Sequence, residues 1–271
     1  MVDASLDAGL TASARVSFRG GGFAPRRTAA GGALTLLGLV ALWQAISTWS
    51  GLNPLFLPSP VAVARALYDL TAHGDLQAQI GVSLARIAAG WTLGTLAGLA
   101  AGLAMGLFTL PRSAGFAVVS ALFPIPKIAL LPLLILWLGI GEAPKVAVIA
   151  LGVFFPTAIA AVGGVDACPR NLIRMAQSFG VPYRDVVRKV VLPAALPSIL
   201  SGCRISASLA LLLVVSAEMI GAERGVGAFV LQAGNLMQTD QLLAGVVVLS
   251  GLGLLIARAL SFLEARLTAW R

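Results

Sequence analysis

Long apolar blocks separated by short polar stretches dominate this chain. The blocks run over Ala33–Trp49, Ile87–Phe108, Ala114–Leu138, Ala143–Gly163, Leu196–Ala217 and Leu242–Leu260. A run of about 20 apolar residues is long enough to cross a bilayer as a helix. The pattern therefore predicts an all-α polytopic membrane protein with six transmembrane helices.

The polar punctuation adds local detail. In LPSPVAVARALYDL, Leu57–Leu70, Ser59 is placed to cap a helix and Pro60 to occupy its first turn, which predicts a short surface helix sealing the rim. The second block carries Gly90, Gly94, Gly98, Gly102 and Gly106. Spacing of four keeps these on one stripe where another backbone approaches closely, within the chain or from a second copy. The third block holds Pro124, Pro126 and Pro132 around Lys127, so this helix is expected to be interrupted and to line a path. A lysine at mid-membrane costs roughly 2.5–3.5 kcal/mol on insertion scales and is expected to face the interior. Two roles stand open for Lys127, neutralisation by a carboxylate or carbonyls, and contact with a translocated solute.

Composition agrees with this class. The chain of 271 residues is 58% hydrophobic and 11% charged, against about a quarter charged in soluble domains. Its net charge of +8 follows the positive-inside bias of membrane loops and does not imply nucleic acid. With the N-terminus inside, thirteen of nineteen Lys and Arg residues fall on the cytoplasmic side, four fall outside, and Lys127 and Arg204 lie within spans. Both termini are thus expected in the cytoplasm. Trp49, Trp91 and Trp137 then land at the outer interface. Arg26 and Arg27 precede the first block, but no small-residue cleavage site follows, which favours an uncleaved first helix. Two cysteines, Cys168 and Cys203, and one histidine assemble no metal site and are read as unpaired thiols beside a lone imidazole. No cluster of His, Cys or carboxylates offers a nucleophile with its base, so no catalytic residue is assigned.

One internal loop is long and basic. NLIRMAQSFGVPYRDVVRKVVLP reads as a helix, a break at Gly180–Pro182, and a second short helix from Tyr183 that ends before Pro193. Arg184, Arg188 and Lys189 decorate the second helix, and Arg188 and Lys189 also suit anionic membrane lipid. A helix-break-helix below the membrane is shaped for a groove on a partner protein.

Here the sequence resembles the permease subunits of bacterial ABC importers. Ala176, three residues, Gly180, nine residues, Val190, one residue, then Leu192 and Pro193 is similar to their signature E-A-A-x3-G-x9-I-x-L-P. Arg174 and Met175 stand where that signature has Glu and Ala, and Val190 replaces Ile. With LPSP at Leu57, LLPLLILWLGIGE at Leu130–Glu142, VLPAALPSILSGCRIS at Val191–Ser206 and AEMIGAERGVG at Ala217–Gly227, the likeness is to the sulfonate, nitrate and taurine group and covers residues 34–267.

The resemblance implies a type I importer permease fold, with an N-terminal tail over 1–32, a transmembrane domain over 33–263 containing a coupling loop at 164–195, and a C-terminal tail over 264–271. It implies an ABC ATPase dimer docked on Arg174, Met175, Ala176, Gly180, Val181, Pro182, Tyr183, Arg184, Leu192 and Pro193. It further implies an extracytoplasmic substrate-binding protein, a homodimer of this chain, and a bacterial inner-membrane location. ATP and Mg are expected on the partner, since no G-x4-G-K-[ST] occurs here. Lys127, Arg204 and Glu218 are the expected translocation-path residues; the resemblance suggests a small anion such as a sulfonate, taurine or nitrate, which Lys127 and Arg204 suit electrostatically. The rival reading is an ion-coupled secondary transporter, which calls for inverted repeats and broken helices in both halves. Breaks are seen chiefly in the third block.

Overall fold

The computed structural model describes residues 29–49, 51 and 53–268. Residues 1–28 of the expected N-terminal tail, with Arg15, Arg19, Arg26 and Arg27, lie outside the described residues, as does Arg271. Two units are distinguished, 1–52 and 53–271. Among the described residues every regular element is a helix.

The first unit contributes α1, Ala29–Trp49, which is apolar around its whole circumference. Its hydroxyls turn back on their own helix: Thr35 Oγ1 donates to Gly31 O at 2.9 Å and Thr48 Oγ1 to Gln44 O at 2.8 Å. A polar group satisfied in this way costs little in lipid.

The second unit begins with α2, Pro60–Ala72, where Ser59 Oγ accepts the Ala62 N–H at 3.2 Å, as its capping position predicts. Helix α3, Leu76–Leu107, follows, and a single extended residue, Phe108, turns the chain into α4, Thr109–Leu122. Pro111 is tolerated so early in α4 because the first four N–H groups of a helix have no internal acceptor. A 3-10 turn, Lys127–Leu130, leads to α5, Leu131–Leu138. Next come α6, Ala143–Asp166, α7, Arg170–Ser178, and the single turn α8, Tyr183–Val186. A π turn, Val187–Val191, joins α8 to α9, Leu192–Gly221, before α10, Val226–Asn235, and α11, Thr239–Leu267.

Five helices are long and apolar enough to cross a membrane, and α4 with the Lys127–Leu138 segment makes a sixth span if counted as one. That third span is not straight. It bends by 87° at the break after Leu122. Pro124 and Pro126 supply no N–H to the preceding turn, so the helix cannot run through them.

Helices α3, α6 and α9 form the core. Lipid is as apolar as a leucine side chain, so burial alone does not drive such helices together; close packing and interhelical bonds do. The glycine stripe serves this within the chain. A Cβ at Gly98 would lie 2.6 Å from Phe154 O, and one at Gly102 would lie 2.7 Å from Ala161 Cβ. From the other side, a Cβ on Gly164 would meet Ala195 O at 2.8 Å. Ile149, Val148 and Val153 of α6, Leu131 of α5 and Ala210 and Val214 of α9 fill the space between at 0% exposure.

Three elements differ from expectation. Helix α3 starts at Leu76 rather than Ile87, which puts Trp91 inside the bundle, not at an interface, with its Nε1 donating to Ser206 Oγ at 3.1 Å. The second loop helix does not end before Pro193 but runs on into α9 as one span, Tyr183–Gly221. Pro193 has no N–H for the carbonyl four residues back, and the wider π turn ahead of it absorbs that mismatch. Helix α10 was not foreseen, because Gly and charged residues on either side of Val226 mask a short apolar run.

Candidate functional site

The 167–191 loop folds into a compact knob, and local chemistry makes it so. Helix α7 ends in a paired cap: the Val181 N–H reaches Ala176 O at 3.1 Å and the Gly180 N–H reaches Gln177 O at 3.0 Å. This Schellman arrangement needs a left-handed residue, and Gly180 has φ 69°. The spacing of Ala176 and Gly180 is thus the spacing of the cap. Ala176 is small enough to be buried beside Cys168, Val186 and Val191, with Val181 partly buried against them. Burial pushes the Cys168 thiol up. Pro182 opens α8 by accepting from Asp185 N at 2.9 Å and Val186 N at 3.1 Å. Tyr183 Oη donates to Leu107 O at 3.3 Å, tying the knob to the end of α3.

The outer side of the knob is apolar and basic together. Phe179 is 79% exposed, Tyr183 58% and Met175 54%, with Arg174, Gly180, Pro182 and Arg184 exposed around them. Leu192 and Pro193 are only half-buried and lie at the root of α9. Phe179 was not singled out by the sequence, although its place between the cap and the glycine marks it as the tip. Lys189 is held by Asp185 at 3.0 Å across one exposed turn.

The residues expected along a path are each bonded inside the chain. Lys127 Nζ donates to Leu122 O at 2.9 Å, Phe123 O at 2.8 Å and Ile125 O at 2.7 Å, and sits 4.6 Å from the centroid of the Phe155 ring. All three carbonyls belong to the turn at the proline break, and Leu122 O also accepts the Ile125 N–H at 3.3 Å. Arg204 Nη1 pairs with Glu264 Oε2 of α11 at 3.2 Å and lines a small cavity with Ser208 and Leu211.

Glu218 belongs to a buried charge cluster at the far end of the helices from the knob. Arg86 of α3, 4% exposed, gives Nε to Glu142 Oε2 at 2.5 Å, Nη2 to Glu142 Oε1 at 2.7 Å and Nη1 to Glu218 Oε1 at 2.8 Å. Lys145 Nζ lies 3.4 Å from Glu142 Oε1. The hydrogen bonds from Arg86 hold the Glu142 carboxyl well below the usual carboxylate range, at about 2. The sequence could not announce this cluster, since Arg86 lies 56 and 132 positions from its two acids.

A bundle of apolar spans with one interrupted helix and one rigid exposed knob is the framework of a membrane permease subunit. Residues 92–269 match the family described as binding-protein-dependent transport system inner membrane component, and the chain belongs to it. It is 36% identical over 241 residues to the taurine transport system permease protein TauC of Escherichia coli (strain K12), covering 87% of this chain and 88% of that one. It is 33% identical over 233 residues to the SsuC permease of Bacillus subtilis (strain 168), named for aliphatic sulfonates transport, covering 86% and 84%. An inward-facing structure of the MetNI methionine ABC transporter superposes with a TM-score of 0.63 over 71% of this chain and 96% of that chain, at 24% identity, a likeness of fold.

Proposed function

We propose that this chain, as a homodimer, forms the path of an ATP-driven importer for a small organosulfonate. The observation that carries the importer reading is the knob itself, an exposed aromatic and basic surface held rigid by the Ala176–Gly180 cap and continuous with a 39-residue span. The continuity is mechanical. Tyr183–Gly221 is one continuous helical span, through its π turn, so a push on the knob at Phe179, Tyr183 and Met175 would act on the root of α9.

In this reading the knob faces the cytoplasm, both termini lie there, and a partner ATPase dimer receives it and holds the ATP and Mg. ATP binding draws the partner's halves together, and the two α9 helices turn the path from one side of the membrane to the other. A binding protein delivers the solute at the opposite face. Taurine and the aliphatic sulfonates that name the relatives share one chemical group, a sulfonate that stays ionised at any physiological pH, and that group is the substrate class proposed here.

Of the cationic residues, we assign Arg204 to the path, because its side chain is 44% exposed and its acid partner Glu264 stands at 3.2 Å. Lys127, whose Nζ already meets three carbonyls, is assigned to the helix break, and Glu218 to holding helices. The test is uptake of labelled taurine into proteoliposomes holding the complex, with the binding protein outside and ATP available to the ATPase. Uptake that requires ATP and is competed by other sulfonates supports the reading; uptake driven by an ion gradient without ATP overturns it.

A further inference from the structure

Helix α10 begins abruptly. Gly225, at φ 124°, turns the chain into Val226, and the first N–H groups of a helix have no acceptors within it. No N-cap side chain serves them. The acceptors come from two other helices instead. Gln79 Oε1 of α3 takes the Gly225 N–H at 2.5 Å, Ser83 Oγ of α3 takes the Val226 N–H at 2.9 Å, and Glu218 Oε2 of α9 takes the Gly227 N–H at 2.8 Å. A carboxylate at a helix N-terminus also complements the helix dipole.

These acceptors are themselves held. Ser83 Oγ donates to Glu218 Oε1 at 2.8 Å, and Arg86, which already joins Glu142 and Glu218, gives Nη1 to Arg224 O at 2.6 Å. One guanidinium therefore touches α6 through Glu142, α9 through Glu218 and the 222–225 turn through Arg224, from its own place on α3. The fit leaves no play: a Cβ added to Gly225 would overlap the Glu218 carboxylate, and one at Gly227 would lie 2.7 Å from Val215 O. Ser83 and Glu218 are 0% and 1% exposed. Swinging α10 away breaks four sets of bonds together and leaves a buried acid and a buried arginine short of partners, a change that buried ion pairs resist strongly.

We propose that Arg86 is a positioning residue that fuses the ends of α3, α6 and α9 and the start of α10 into one rigid block. Helix α10 then stays with α3 throughout the transport cycle and does not hinge away from it. This rests on the importer reading above.

A cross-link separates the two motions. Val82 of α3 is half-buried and lies one turn before Arg86, whose side chain reaches the carbonyl of the exposed Arg224. In a Cys168→Ala, Cys203→Ala background, Val82→Cys and Arg224→Cys are joined by a short bis-thiol reagent, and ATP-driven taurine uptake is measured before and after. A rigid block predicts unchanged uptake once the link has formed. A fall of about tenfold or more on linking shows that α10 must leave α3 in each cycle and overturns the proposal. The same pair is then placed in Arg86→Lys, whose single ammonium cannot bridge two acids and a carbonyl. Reduced uptake that the reagent restores is the expected result. Normal uptake by Arg86→Lys, or a loss the reagent does not restore, refutes the positioning role. If the unlinked complex takes up no sulfonate at all, the importer reading fails first and the inference falls with it.

Discussion

Lys127 sits beside a proline break, and its ammonium donates to three carbonyls of the turn there, those of Leu122, Phe123 and Ile125. Leaving such acceptors unmet costs on the order of 1–3 kcal/mol. Lys127→Met is therefore expected to lower the melting temperature of the purified complex while the concentration of sulfonate giving half-maximal uptake stays unchanged. A large rise in that concentration with unaltered stability would return Lys127 to the path. Glu142 offers a second test at this scale. Its carboxyl is held at about 2 against an ordinary 4.5, chiefly by the Arg86 hydrogen bond. A depressed value means the contribution to stability is present above the ordinary value and is lost as pH falls towards the depressed one. The difference in thermal stability between wild type and Glu142→Gln should stay constant at neutral and mildly acidic pH and shrink between 4.5 and about 2. The side chain is 60% exposed, so the difference should be small.

At the scale of the element, the glycine stripe of α3 makes a sharp contrast. Gly98→Ala drives a methyl against Phe154 O at 2.6 Å, whereas Gly81 on the same helix has nothing within 4 Å. Gly98→Ala is expected to cost roughly 1–3 kcal/mol through overpacking. Gly81→Ala is expected to be neutral or to gain up to about 1 kcal/mol from helix propensity. Denaturation of the two variants in detergent checks both. The stripe was legible in the sequence because its spacing is local; that it faces α6 of the same chain was not, because a period names a face and not its partner. Likewise Ser59 and Pro60 announced α2, and Ala176, Gly180 and Pro182 announced the knob, since caps are written within four or five residues. The Arg86 cluster and the capping of α10 by α3 and α9 were illegible, being made of single residues brought together only by the packing of four helices. The π turn before Pro193 was missed for a related reason. Proline forbids one hydrogen bond, and the sequence does not say whether a helix ends there or widens.

For the whole molecule, the proposed importer function requires that force applied at the knob reach the bundle. In that reading the Schellman cap, the apolar seat of Ala176, Val186 and Val191 and the helical passage into α9 would carry it at one end, with the proposed Arg86 block as the counterpart at the other. Phe179 is the residue through which the two roles separate, since it is 79% exposed within the chain and its replacement is expected to leave the fold intact. The most direct measurement is ATP hydrolysis and taurine uptake followed together in proteoliposomes of wild type and Phe179→Ser at equal abundance. Coupling through the knob predicts that Phe179→Ser keeps its melting temperature, weakens retention of the ATPase and loses uptake by about tenfold or more, the cost of removing an aromatic anchor from an interface. Wild-type uptake by Phe179→Ser with the ATPase fully retained would contradict it.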